Sequence, residues 1–183
     1  MMRAVDIAKL GSDRKKVKEI YMRAFPRDER MPFWMMRAMA KMQNTRFLAF
    51  YEEALLCGFV YMAVAGNIVF VMFFAVEESL RCRGYGSRIL AEIQAHHPGQ
   101  KIVISIEKCD GDAPDLEKRL RRKSFYLRNG FQETGFGIKL EKQEQEIIIK
   151  NGTFDSREFS SFLKKYSNGT LRPPIWKADA ENE

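Results

Sequence analysis

The stretch FAVEESLRCRGYGSRILAEIQ, Phe74 to Gln94, decides how this chain is read. An apolar run ends at Val76, a charged turn follows, and Gly84 and Gly86 stand one residue apart before a helical pattern resumes at once. A turn needs one glycine at most. Two glycines among Arg81, Arg83 and Arg88 describe a backbone that must come close to something anionic. The first turn of a helix leaves about four N–H groups unpaired, and its dipole favours negative charge there. Glycines remove the Cβ atoms that would stand between those N–H groups and phosphate oxygens, and successive exposed N–H groups form an anion nest. Arg81 and Arg83 add charge-assisted hydrogen bonds. Two familiar glycine loops are excluded. A dinucleotide fingerprint requires glycine where Ile89 stands, and no GxxxxGK followed by Ser or Thr occurs. The plainer alternative is a helix start whose glycines serve tight packing.

Outward from this turn, the pattern predicts helices over 13–24, with Ser12 or Asp13 as the N-cap, and over 32–43. Strand-like runs follow at 46–51, 55–64 and 67–76, separated by short turns as hairpins require. A helix over 84–97 ends at Pro98-Gly99, and KIVISIEK (101–108) is a short apolar strand. The loop CDGDAPD (109–115) leads into a helix of 114–129 that stops at Asn129-Gly130, where glycine suits a left-handed C-cap. Strands near 131–140 and 144–150 and a last helix capped by Asp155 complete the pattern, and the tail from Pro173 is expected to be loosely held. The sum is an α/β (α+β) fold with a mixed sheet and flanking helices in a single domain, 1–183. Its core covers about 13–140, an extra strand and C-terminal helix cover 141–167, and 168–183 is tail.

At 45% hydrophobic content the chain can bury a sizeable core, and no apolar run approaches the ~18 residues of a membrane span. The first residues lack a signal peptide's apolar region, so a cytoplasmic location is expected. Cys57, Cys82 and Cys109 are odd in number and, with only His96 and His97 beside them, have no metal-ligand spacing; no metal is expected. The sequons at Asn151 and Asn168 then mark turns. A net charge of +7 favours an anionic partner without choosing among nucleic acid, an acidic surface and a phosphorylated cofactor.

The turn is where a resemblance becomes specific. FAV-EESL-RCRGYGSRIL resembles the acetyl-CoA-binding motif of the GNAT superfamily of N-acetyltransferases, Q/R-x-x-G-x-G/A, which follows a strand ending in an apolar-Ala-Val triplet five residues before the Q/R. Val76 and Arg81 have that separation; Cys82 stands where glycine is common. The resemblance implies a mostly antiparallel central sheet with a splayed strand pair. It also implies that Arg81, Cys82, Arg83, Gly84, Tyr85, Gly86 and Ser87 wrap the CoA pyrophosphate. Phe74, Ala75 and Val76 would then hydrogen-bond the pantetheine arm as an added strand.

A thioester-dependent transferase must deprotonate its amine, stabilise an oxyanion and protonate the leaving thiolate. An amine of pKa ~10.4 is neutral in only about one molecule in a few thousand at pH 7. The backbone N–H of Val76 can meet the oxyanion. RKSFYLRNGF (122–131) resembles the family's second motif, a helical tyrosine four residues before Gly-Phe, which assigns Tyr126 to the thiolate. From a phenol near 10 to a thiol near 8.5 the transfer is uphill by about 2 kcal/mol. Arg119, Arg122 and Tyr126 share one helical face, and the guanidinium groups are expected to ease it. Arg119 also occupies a place where family members often carry asparagine; it either recruits CoA phosphates or alters the pantetheine contact. The glutamate that some members use as base is Phe70 here, so Glu107, at the end of the neighbouring strand, is the first candidate, with base-free attack through water as the alternative.

The acceptor is expected to be an amine with an apolar portion, on a small molecule, peptide or protein, met by Glu29 and Trp34 in FPRDERMPFWMMRAM. No membrane partner is expected, and a monomer or homodimer both fit. The rival is a nucleic-acid- or ribosome-associated protein that uses LEKRLRRKSFYLR. Against it, Leu116, Leu120 and Leu127 read as a buried stripe that leaves the basic face solvated. A degenerate family member that binds acetyl-CoA without transferring it is a third reading.

Overall fold

The structure is a computed structural model that describes residues 2–109, 111, 113–140 and 143–178. The fold is mixed α/β, with helices against mostly antiparallel strands, and the chain divides into two compact units. Residues 1–64 and 71–98 form the first, residues 65–70 and 99–183 the second.

In the first unit, β1 (Met2–Asp6), β2 (Thr45–Glu52), β3 (Leu55–Ala65) and the later part of β4 (Ile68–Val76) lie side by side in that order. β1 pairs antiparallel with β2, Val5 facing Ala49, and β2 with β3, Phe47 facing Tyr61. β1 has no alternation of its own in sequence, and the pattern read at the N-terminus missed it. The edge of β2 supplies its ladder. The β2–β3 turn holds Glu53 at φ +54, and the register slips by one between Phe50 and Tyr51.

α1 (Asp13–Ala24) packs through Val17, Ile20 and Tyr21, the helical spacing that predicts it. Tyr21 is the hub of an aromatic cluster, with Phe25, Phe33, Phe59 and Phe73 at centroid distances of 5.3–6.1 Å, and its hydroxyl donates to Met31 O at 3.0 Å. α2 (Phe33–Met39) ends four residues sooner than the predicted 43. Ala40, Lys41 and Met42 turn out of it, and the N–H groups of Lys41 and Met42 take the carbonyls of Ala38 and Met39 in tighter turns. α3 (Tyr85–His96) buries Ile89, Leu90 and Ile93.

In the second unit β5 (Lys101–Glu107), β7 (Gln143–Lys150), β6 (Gln132–Leu140) and β8 (Ile175–Lys177) form an antiparallel run in that spatial order. α5 (Ser156–Tyr166) is capped as its sequence predicts: Asp155 Oδ1 accepts from the N–H groups of Arg157 and Glu158 at 2.8 and 2.9 Å. Its apolar face carries Phe159, which packs on Phe70 at 5.2 Å. Asn151 and Asn168 take left-handed φ values of +64 and +51, as turn residues do.

Two expectations are corrected here. The tail is not wholly loose: Ile175–Lys177 pairs with β6, and the Trp176 indole lies over Gly137, where an added Cβ would come within 2.5 Å of Cε2. Only glycine leaves room for that ring; the end of the expected tail, 179–183, falls outside the described residues. In α4 (Leu116–Arg128), Leu120 and Leu127 are exposed rather than buried, and Tyr126 is the buried residue. At 100° per residue the leucines stand roughly a third of a turn from the face that packs, which Arg119, Arg122 and Tyr126 occupy.

Candidate active site

After β4 a 3-10 turn, Glu78–Leu80, delivers the chain to Arg81–Gly84, all exposed, and then to α3. Cys82 and Gly84 both have left-handed φ values, +61 and +81. This alternation reverses the chain tightly enough for the helix to begin at Tyr85. A Cβ on Gly84 would meet no atom within 4 Å, so the space over the turn is open. The amides of Tyr85, Gly86 and Ser87 precede the first intrahelical bond, from Arg88 N to Gly84 O at 3.1 Å. Gly84 supplies no side-chain cap. Among the described residues Arg81 and Arg83 have no ion-pair partner. Positive dipole, open space and two uncommitted guanidinium groups suit an anion of diphosphate kind.

A residue that sequence reasoning missed holds this turn in place. Tyr85 Oη donates to Glu52 Oε2 at 2.9 Å, and Arg88 pairs with Glu52 Oε1, so the first turn of α3 is tied to the end of β2. Arg88, and then Tyr85, hold the Glu52 carboxyl down at about 2, and the carboxylate raises both the Tyr85 phenol and the Arg88 guanidinium in return. In the sequence Glu52 is merely the start of a polar hairpin turn. Only the fold brings it across 33 residues to Tyr85.

Phe74, Ala75 and Val76 form the end of β4. Gly58 of β3 lies against them: an added Cβ there would sit 2.3 Å from Ala75 O and 3.1 Å from Val76 Cα. Beyond it the Glu77 N–H donates to Cys57 O at 2.8 Å. The strand end is therefore fixed by backbone contacts, and Ala75 is buried while Phe74 and Val76 are half-buried.

The second constellation lies in the other unit. α4 closes with Phe131 N–H donating to Tyr126 O at 3.2 Å and Gly130 N–H to Leu127 O at 3.0 Å, with Gly130 at φ +82. This is a Schellman closure, and it explains the Tyr-to-Gly-Phe spacing. Tyr126 is the third residue from the helix end, Phe131 the one just past the glycine, and their rings meet at 5.5 Å. Phe125 stands edge-on to Tyr126 at 5.1 Å.

Burial pushes the Tyr126 phenol up to about 12; Arg122 opposes this and Glu107 adds to it. The expected easing by two arginines is corrected accordingly. Arg119 Nε is held by Asp115 Oδ1 at 2.7 Å and its Nη1 by Lys108 O at 2.9 Å, and the pull of Arg122 is outweighed by desolvation. Glu107, the candidate base, has its Oε2 paired with Arg122 Nη1. Phe70, where some relatives would carry a base, is buried against Phe159.

Of the expected acceptor contacts, Trp34 is 70% exposed and borders an open cleft of about 530 Å³ in the first unit; Glu29, half-buried in the turn Arg27–Glu29, does not line that cleft.

Residues 43–133 match the family model of the acetyltransferase (GNAT) domain. No curated protein matches the chain in sequence. Among solved structures the chain is similar to a protein of Bacteroides thetaiotaomicron described as a GNAT-family acetyltransferase, with 20% identity and TM-score 0.74 over 93% of this chain and 99% of that one. It is also similar to the ribosomal-protein-S18-alanine N-acetyltransferase of Escherichia coli, with 13% identity and TM-score 0.58 over 85% and 97%. An aminoglycoside 6′-N-acetyltransferase solved with coenzyme A gives 13% identity and TM-score 0.62 over 84% and 99%. At these identities the likeness to solved structures is one of fold. The matched segment contains the strand end, the glycine turn and Tyr126, and on that footing the protein is a member of the GNAT acetyltransferase family, its family domain spanning residues 43–133.

Proposed function

We propose that the protein transfers the acetyl group of acetyl-CoA to a primary amine in a ternary complex. The observation that carries this reading is the turn from Arg81 to Ser87. Its left-handed Gly84, the open space above it, the leading amides of α3 and the uncommitted Arg81 and Arg83 fit a diphosphate. Acetyl-CoA, as co-substrate, supplies the activated acyl group. The backbone of Phe74–Val76 lines up the pantetheine arm, and the Val76 N–H meets the carbonyl oxygen as charge develops on it.

Tyr126 acts at the departing sulfur. Its phenol stays protonated across the physiological range, so the donor form is always present. Against a thiol in water, full transfer from a phenol at about 12 is uphill by about 5 kcal/mol. The burial that raises the phenol also raises a thiol brought beside it, and the gap narrows when both leave water. Arg119, committed to Asp115 and the Lys108 carbonyl, shapes the pantetheine contact in this reading rather than reaching for phosphates. Glu107 takes the amine proton by way of water, Arg122 holding its carboxylate in place. The acceptor amine carries an apolar portion against Trp34, with Glu29 toward the ammonium.

The nucleic-acid reading of α4 loses ground for a different reason from the one its sequence suggests. Leu120 and Leu127 are exposed, but Arg119, Arg121, Arg122 and Lys123 are each paired with a carboxylate, so phosphates would have to displace existing partners.

Calorimetric titration of acetyl-CoA into the wild type and a Gly84→Glu variant tests the proposal. Saturable binding that the variant loses, followed by acetylation of members of an amine panel, is the expected result. Absence of binding to the folded wild type overturns it.

A further inference from the structure

The cleft that Trp34 borders is built from one solvent-facing side of α1, the start of α2 and the segment between them. Five of its lining residues are cations: Arg14, Lys15, Lys18, Arg30 and Arg37. Among the described residues no carboxylate lines it. Two of the cations are positioned by the backbone. Arg14 Nη2 donates to Leu10 O at 2.7 Å, and Arg30 Nε to Phe25 O at 2.6 Å. Lys15, Lys18 and Arg37 have no ion-pair partner among the described residues. Between these charges lies an apolar floor of Met22, Met31, Phe33 and Trp34, of which Met22 is 43% and Trp34 70% exposed.

An exposed indole beside two methionines, ringed by unpaired cations, is an unusual surface to leave in water. Each half of it asks for a different group. The cations ask for carboxylates or phosphates, and the floor asks for an aliphatic or aromatic side chain. From Arg14 to Met22 the α1 side of the cleft runs about 12 Å, more than one anionic group can serve. Single-stranded nucleic acid would satisfy the cations, but it stacks successive bases on successive aromatic faces, and of the lining residues only Trp34 is an exposed aromatic, Phe33 being half-buried and the rest of the floor methionine and proline. A peptide satisfies both halves.

We infer that this cleft docks an acidic peptide segment that places an apolar side chain against Trp34 and its own carboxylates on Lys15, Lys18 and Arg37. The binding does not depend on acetyl transfer. It gives the protein a means of selecting a peptide or protein acceptor by the acidic segment whose apolar side chain meets Trp34, a reading that rests on the proposed place of Trp34 at the acceptor, with salt-sensitive association.

The test uses the full-length protein and a short fluorescein-labelled peptide in which glutamates flank a Phe-Leu pair, followed by fluorescence anisotropy. The wild type is expected to bind it, with affinity that falls as salt rises. Lys15→Glu/Lys18→Glu and Trp34→Ala are each expected to weaken binding about tenfold or more, as is replacement of Phe-Leu by Gly-Ser in the peptide. Lys118→Glu on α4 is expected to leave it unchanged. Melting curves establish that each variant is folded, and these exposed positions tolerate substitution. No binding by the wild type overturns the inference. So does equal weakening by Lys118→Glu, or tighter binding of poly-uridylate that survives Trp34→Ala. Acetyl-CoA titrated into the same preparations keeps the two readings apart. Peptide binding without acetyl-CoA binding removes the transferase reading alone, and the reverse removes the cleft alone.

Discussion

Gly58 and Ala75 touch backbone to backbone: a single methyl group on Gly58 would stand 2.3 Å from the Ala75 carbonyl oxygen. No flexible side chain is there to give way, so the end of β4 owes its position to the absence of an atom on β3. Gly58→Ala must push Phe74–Val76 aside. We expect a loss of about 1–3 kcal/mol of stability, read by urea denaturation. We also expect weakened acetyl-CoA binding by calorimetry, because the displaced segment is the one proposed to line up the pantetheine arm. A variant that binds acetyl-CoA as the wild type does would separate the strand end from the cofactor.

Cys82 holds a left-handed φ of +61 at a place where a side chain pays for it. Cys82→Gly removes that strain and is expected to raise stability by about 1 kcal/mol while leaving acetyl-CoA affinity in place. Gly84→Val, at φ +81, should do the opposite on both counts. Paired denaturation and titration experiments check both.

Tyr126 gives two independent readouts. Tyr126→Phe keeps the ring against Phe125 and Phe131 and is expected to lower kcat by about 10²-fold or more with little change in KM for acetyl-CoA. The second readout is the alkaline limb of stability. The folded phenol titrates near 12 against 10 in an unfolded chain, so the unfolded state ionises first. That contribution is whole below pH 10 and is lost as pH rises toward 12. In the Phe variant this part of the alkaline loss should disappear.

Glu52 predicts an acid-side effect of the other sign. Arg88 and Tyr85 hold its carboxyl at about 2, against an ordinary 4.5, so its stabilisation is present above pH 4.5 and is lost as pH falls toward 2. Glu52→Gln should flatten that limb. Because Glu52 holds the first turn of α3 through Tyr85 and Arg88, its loss should weaken acetyl-CoA binding through misplacement of that turn, and added salt should mimic the variant in the wild type.

Much of the fold was legible because it rests on local physics. Val17, Ile20 and Tyr21 announce the buried face of α1 by spacing alone, Asp155 announces a cap, and Asn129-Gly130 announces the closure of α4. The left-handed glycine turn was legible for the same reason, since its shape is a property of consecutive backbone atoms. What failed was whatever needed a distant neighbour. β1 and β8 are strands only because β2 and β6 offer them edges, and Gly137 tells nothing until Trp176 lies on it.

The candidate site divides in the same way. The residues at the turn, at the strand end and at Tyr126 follow from spacing. Their chemical states do not. Consecutive residues alone announced a tight glycine turn at the head of α3 and a tyrosine at the family spacing, because both are set within a few residues along the chain. Only tertiary structure decided that Glu52 anchors the turn, that Arg119 is spent on Asp115 and a carbonyl, and that Tyr126 is an unusually weak acid. Charge and burial act through space, and the residues that supply them are far apart in the chain.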